Sequence, residues 1–232
     1  VLVLNPCKFV FDKLRRNHTK GNPIATIPQG NQNSLKLFRF ASFGNMQKDD
    51  SLTLRLKLEQ TKGLSLATLA TDTTVSMTTL HEQCYDQKNP TLAFRASWVL
   101  EQVAYQDPER FLSIFEAFAS RTAEQTNPSC QRHFTKIWMY LTAPRIPVPY
   151  QEAYRNVNRA ALAETIFSWL IRPKTPVAVQ VNCLDILYNL IGEYDWIKDE
   201  LTHYIEFLMR DGSAALQSRG KKILQKIRRL KP

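Results

Sequence analysis

Arg95-Ala96-Ser97-Trp98-Val99-Leu100, Arg132-His133-Phe134-Thr135-Lys136-Ile137, Asn182-Cys183-Leu184-Asp185-Ile186-Leu187 and Arg219-Gly220-Lys221-Lys222-Ile223-Leu224 fall at matched places on four apolar stretches of the chain. Their last residues lie 37, 50 and 37 positions apart. The long step exceeds the other two by 13 residues and contains a Pro-rich insert, Thr142-Ala143-Pro144-Arg145-Ile146-Pro147-Val148-Pro149, so one period accounts for all three steps. A period of this size marks a supersecondary unit that cannot bury its apolar face alone and has to stack on its neighbours.

Around the blocks, helix follows helix. Asn89-Pro90, Asp107-Pro108, Asn127-Pro128 and Thr175-Pro176 each place a capping side chain directly before a proline suited to the first helical turn. They predict helices over Pro90 to Tyr105, Pro108 to Thr122, Pro128 to Leu141 and Pro176 to Ile191. Further helices are expected over Tyr150 to Leu170, Glu193 to Arg210 and Ser213 to Leu230, with two or three short ones between Asp49 and Tyr85. Apolar residues recur at helical spacing, as in Phe111, Ile114, Phe115 and Phe118, or Phe134, Ile137, Trp138 and Leu141. Connections this short make neighbours antiparallel. The expected fold is all-α: a solenoid of antiparallel helix pairs with a period of about 37 residues.

The 232 residues, 44% of them apolar, suffice for one continuous stack. Seven glycines suit helices joined by tight turns and argue against a phosphate-cradling loop. No apolar run has the roughly 18 to 20 residues that a membrane span needs, and Val1 to Val10 lacks the layout of a secretory signal, which points to a cytoplasmic protein. Residues 1–45, rich in Asn, Gln and Lys and without helical or strand period, are expected to be a disordered extension or a mis-assigned start ahead of Met46; residues 46–232 are expected to form a single repeat domain. The net charge of +10 sits at the ends. Residues 1–45 hold seven Lys or Arg against Asp12, residues 210–232 hold eight against Asp211, and the body between them is slightly acidic.

The Arg that opens a block soon after a Pro turn, followed by small and aliphatic residues, resembles the second helix of HEAT-type repeats. Arg95-Ala96-Ser97-Trp98-Val99-Leu100 and Pro176-Val177-Ala178-Val179 leading to Ile186-Leu187-Tyr188-Asn189-Leu190 resemble it most closely, within a span of roughly Pro90 to Leu230. The resemblance implies a curved right-handed array of helical hairpins, with the region before Pro90 as an irregular cap. Asn182 in place of Arg, Gly220 in the fourth block and the Pro-rich insert depart from the pattern. HEAT-like proteins serve mostly as scaffolds and adaptors, while a branch resembling bacterial alkylpurine glycosylases clasps damaged DNA.

Arg95, Arg132 and Arg219 are equivalent, so on a solenoid they form a row. Either they bind phosphate, which guanidinium forks match well, or each bonds carboxylates or helix-end carbonyls of the adjoining unit; the second is expected. Lys221, Lys222, Lys226, Arg228 and Arg229 join Arg219 on a helix with an apolar stripe at Leu216, Ile223, Leu224 and Ile227. That basic face reads as a soluble cap on the stack or as a contact for an acidic partner. Trp98, Trp138, Trp169 and Trp196 are expected in the core. No Ser-His-Asp arrangement, Walker loop or metal-ligand spacing is present, and His81 with Cys84 lacks a third ligand. Glu101, Glu164, Asp185 and Glu206 are expected on exposed helix surfaces. The sequence thus points to a non-enzymatic scaffold that binds a macromolecule, a protein first and nucleic acid through the basic C-terminal helix second, with no cofactor, metal or membrane.

Overall fold

A computed structural model describes residues 51–61 and 65–230. The chain divides into two units, Val1–Thr53 and Leu54–Pro232, and the repeats lie in the second. The extension expected over residues 1–45, with Cys7 and His18, lies outside the described residues.

Within the second unit, residues 54–60 form α1, followed by α2 (Ser65–Thr71), α3 (Met77–Gln83), α4 (Pro90–Gln106), α5 (Pro108–Leu112) and α6 (Phe115–Arg121). After a 3-10 turn at Thr122–Glu124 come α7 (Pro128–Leu141), a 3-10 turn at Val148–Tyr150, α8 (Gln151–Arg155), α9 (Arg159–Ile171), α10 (Val177–Asn189), α11 (Asp195–Asp211) and α12 (Ala214–Arg229). Among the described residues there is no strand, and no helix is long and apolar enough to cross a membrane.

The capping residues act as the sequence predicts at three of the four Pro turns. Asn89 Oδ1 accepts from Leu92 N at 3.1 Å, Asp107 Oδ1 from Arg110 N at 3.2 Å and Asn127 Oδ1 from Ser129 N at 3.0 Å. These bonds satisfy amides that the first helical turn leaves open. At the fourth turn Pro176 is itself the cap, and no side chain bonds the first amides of α10.

Two helices expected to be continuous are broken. Pro108 to Thr122 is split between α5 and α6, where Ser113 Oγ turns back to the Arg110 carbonyl at 2.6 Å and Ile114 leaves helical geometry at φ −121°, ψ 5°. Tyr150 to Leu170 is split between α8 and α9, where Asn158 starts a new helix by capping Ala161 N at 3.1 Å. In both cases a short polar side chain offers the backbone an alternative partner to the helical ladder.

The second helix of each pair, α4, α7, α10 and α12, packs on the next in chain order. The first helices cover this row from one side: α2 and α3 lie on α4, α9 on α10, and α11 on both α10 and α12. Between the layers runs an aromatic core. Phe118 meets Phe134 at 5.0 Å, Phe111 at 5.2 Å and Trp138 at 5.3 Å between ring centroids. Trp138 is fully buried and its indole N–H donates to Thr122 Oγ1 at 3.0 Å. Removing such a side chain costs about 3–5 kcal/mol, which leaves little of a typical stability of about 5–15 kcal/mol. Trp169 is buried too, whereas Trp98 and Trp196 are only half buried against the core.

The Pro-rich insert is pinned at its far end. Tyr150 is buried, stacks near Phe115 at 6.2 Å and donates its hydroxyl to the Ala104 carbonyl at 2.7 Å, while Val148 beside it is 79% exposed. A groove of about 660 Å³ opens between α6 and α9, lined by Leu112, Phe115, Ala119, Val157 and Leu162.

Gly220, which departs from the family pattern, has a packing reason. It lets α12 approach α11 so closely that a Cβ here would lie 2.8 Å from Ile205 Cγ2.

Candidate interaction surface

The row of second helices is laced by polar rungs, each joining one repeat to the next. Arg95 Nη1 on α4 donates to the carbonyls of Leu58 (2.8 Å) and Glu59 (3.0 Å) in the last turn of α1, satisfying acceptors that a helix end leaves open. From α7, His133 Nδ1 lies 2.5 Å from Glu101 Oε2 and Lys136 Nζ donates to Glu101 Oε1 at 2.9 Å. From α10, Asn182 Nδ2 donates to Thr135 Oγ1 at 3.0 Å and Asn189 Nδ2 to Thr142 Oγ1 at 3.3 Å. From α12, Arg219 Nη2 pairs with Asp185 Oδ2 at 3.0 Å, and Lys226 Nζ sits 5.1 Å over the Tyr188 ring.

The three equivalent arginines therefore have different surroundings. Arg95 is spent on helix-end carbonyls and Arg219 on a carboxylate. Arg132 is exposed, with no hydrogen bond or ion pair among the described residues. The α12 cations Lys221, Lys222, Arg228 and Arg229 are likewise exposed and without a carboxylate partner among the described residues.

Three carboxylates differ from their expected exposed placement: Glu101, Asp185 and Glu164. Glu101 is 3% exposed, and both of its oxygens are taken up by His133 and Lys136. A buried carboxylate is costly to leave unpaired, so Glu101 ties α4 to both partners on α7. Asp185 is half buried; burial pushes its acidity toward a higher pKa, while Arg219 and then Lys226 oppose that shift. Glu164 is half buried and Glu206 is exposed, as expected for the latter. The Glu101 rung was legible once the blocks were in register: an acid late in one block's helix faces a His and a Lys early in the next. What hid it was the absence of any local clue, since the partners come 32 and 35 residues later.

His81 lies in the last turn of α3 and Cys84 caps its end, but both are buried and engaged. His81 Nε2 meets Tyr85 Oη at 3.2 Å, and the Cys84 thiol points to the Leu80 carbonyl. Burial lowers the His81 pKa to about 4, with the Arg121 charge adding to the effect, and raises that of Cys130 to about 11. Among the described residues no group of His, Cys, Asp and Glu could hold a metal ion.

Charge is segregated between α12 and the neighbouring first helix α11, whereas α5, α6, α8 and α9 each carry one acid and one base. The second helices carry Arg95, Arg132, Lys136, Arg219, Lys221, Lys222, Lys226, Arg228 and Arg229 against only Glu101 and Asp185. The neighbouring first helix α11 carries Asp195, Asp199, Glu200, Glu206 and Asp211 against Lys198 and Arg210.

A family description, HEAT repeat domain, matches residues 50–227. The chain is a HEAT repeat protein. HEAT repeats are helical repeats that often mediate interactions. The match reaches further toward the N-terminus than the expected span from Pro90. It starts at residue 50, and the Leu58 carbonyl of α1 receives Arg95 from 37 residues later in the chain. No curated protein and no solved structure matches the chain.

Proposed function

We propose that this HEAT repeat chain is a non-enzymatic adaptor that holds an acidic protein partner against its second-helix row, chiefly at α12. The observation that carries the proposal is the set of exposed cations on α12, Lys221, Lys222, Arg228 and Arg229, which have no carboxylate partner among the described residues, while acidic side chains gather on α11 in the other layer. Unpaired charge of one sign steers and selects partners of the other sign.

Nucleic acid is the weaker reading, on a specific ground. A phosphate track needs cations repeated along the row, and here two of the three equivalent arginines are occupied by rungs while α10 carries no Lys or Arg and presents Asp185.

Affinity capture with the intact chain and with a Lys222→Glu/Arg229→Glu variant, followed by mass spectrometry, tests the proposal. The expected result is a protein retained by the unmodified chain and lost by the variant, with the contact weakening as salt rises. Capture that is indifferent to the substitutions would contradict it. So would steeply salt-dependent binding of duplex DNA in its place.

A further inference from the structure

The rungs along the second-helix row all point the same way. At each junction the later helix supplies the donor or cation and the earlier helix supplies the acceptor, carboxylate or ring: His133 and Lys136 to Glu101, Asn182 to Thr135 and Asn189 to Thr142 by hydrogen bonds, Arg219 to Asp185 as an ion pair, and Lys226 over the Tyr188 ring. The threonines serve as acceptors because their own protons are committed within α7, Thr135 to the Arg132 carbonyl at 3.0 Å and Thr142 to the Trp138 carbonyl at 2.7 Å.

The register is regular as well. Counted from the first residue of each block, the acceptors stand three places on (Thr135, Asp185), six places on (Glu101, Tyr188) or ten places on (Thr142). On α12 the same places hold Lys222, Gln225 and Arg229, all three exposed. Lys and Arg are donors only. The polarity of the ladder is inverted on this face: a helix built like α7, α10 or α12 would bring donors and cations against cations, and like charges brought together oppose docking.

Resting on the acidic-partner reading above, we infer that the Lys222–Gln225–Arg229 face of α12 is a docking site for a helix of another protein that stacks as a further rung and presents carboxylates. At two of the three junctions the incoming donors are seven residues apart, Asn182 with Asn189 and Arg219 with Lys226, as are Lys222 and Arg229 on the open face, whereas His133 and Lys136, three apart, converge on the single carboxylate of Glu101. The partner's acids therefore recur at seven-residue spacing, which keeps them on one helix face. Selection comes from register in addition to attraction between opposite charges.

The test is a fluorescence-anisotropy titration of the intact chain into labelled alanine-based helical peptides at low salt. One peptide carries glutamates every seven residues; a second, of the same composition, carries them every five, which scatters them around the helix. The seven-spaced peptide binds about tenfold tighter, a difference that Lys222→Glu/Arg229→Glu abolishes and that Lys221→Glu/Arg228→Glu, on the neighbouring face of the same helix, changes by less than about threefold. A peptide with lysine in place of each glutamate, at the seven-residue spacing, binds the Lys222→Glu/Arg229→Glu variant and not the unmodified chain. Circular dichroism of both variants confirms that helicity is retained. Equal affinity for the two spacings, or equal loss in the two variants, overturns the register inference and leaves the acidic-partner reading standing. Absence of peptide binding overturns the docking site. Duplex DNA binding more tightly than either peptide overturns both.

Discussion

Replacing Gly220 with alanine tests the packing of the last repeat through the sign of the effect. In the interior of an exposed helix, alanine is favoured over glycine by about 1 kcal/mol. Gly220 lies inside α12, but its neighbour is Ile205 on α11: an added Cβ would stand 2.8 Å from Ile205 Cγ2 and 3.7 Å from Met209 Sδ. Ordinary carbon contacts begin near 3.5 Å, so the overlap is roughly 0.7 Å. Either α11 retreats or Ile205 leaves its preferred rotamer, and overpacking of this kind costs about 1–3 kcal/mol. The clash outweighs the propensity gain, and Gly220→Ala is expected to destabilise the chain by about 1 kcal/mol. On an Ile205→Ala background the obstructing methyl is gone, and the same substitution becomes stabilising. Urea unfolding followed by far-UV circular dichroism measures both, with an unchanged slope showing that the midpoint shift reports stability. A rise in midpoint for Gly220→Ala with Ile205 present would refute the close approach of α12 to α11.

Three further outcomes follow from the same geometry. His81 is 2% exposed and has its pKa lowered to about 4 by burial, so the unfolded chain takes up the proton first; stability is full above the ordinary value near 6.5 and falls toward pH 4. The loss between pH 7 and pH 5 is about 2 kcal/mol, and His81→Gln should remove that part of the acid slope in urea midpoints; an unchanged slope counts against a buried neutral imidazole. Lys136→Met leaves the buried Glu101 with one partner fewer and is expected to cost about 1–2 kcal/mol, discounted because Lys136 is partly exposed, whereas adding Glu101→Leu recovers most of that loss. Additive effects in this double-mutant cycle would show that the rung carries no coupling. Arg110 donates to the carbonyls of Ala70, Asp72 and Val75 at 2.7, 3.1 and 3.1 Å, and Arg110→Met should raise amide exchange around α2 and α3 before it affects α10 to α12. Uniform exchange across the repeats would deny Arg110 this local role.

Much of the fold was legible because the decisive signals are local. Pro90 and Pro128 begin their helices where the Asn-Pro pairs put them, and the 37-residue step places the second helices in a row. The breaks at Ser113 and Asn158 were hidden, since a serine or asparagine within an apolar period gives no warning of which backbone group it will bond. The basic face of α12 and the row of arginines could be read from spacing, but their differing fates could not. Arg95 and Arg219 look alike in sequence, yet one meets helix-end carbonyls and the other meets Asp185, and these partners lie about a repeat away along the chain. Glu101 was misplaced for the same reason: its burial is made by the next repeat.

The central claim is that successive second helices lie side by side in the register set by the blocks. Tyr105 on α4 and Tyr140 on α7 hold their rings 5.0 Å apart, edge to face, one repeat apart in sequence. Nuclear Overhauser spectroscopy with selectively labelled tyrosine measures that proximity in solution. Cross-peaks between the two rings, lost on Tyr140→Leu, are the result the account predicts. A chain with intact helical circular dichroism and no Tyr105–Tyr140 cross-peak would contradict it.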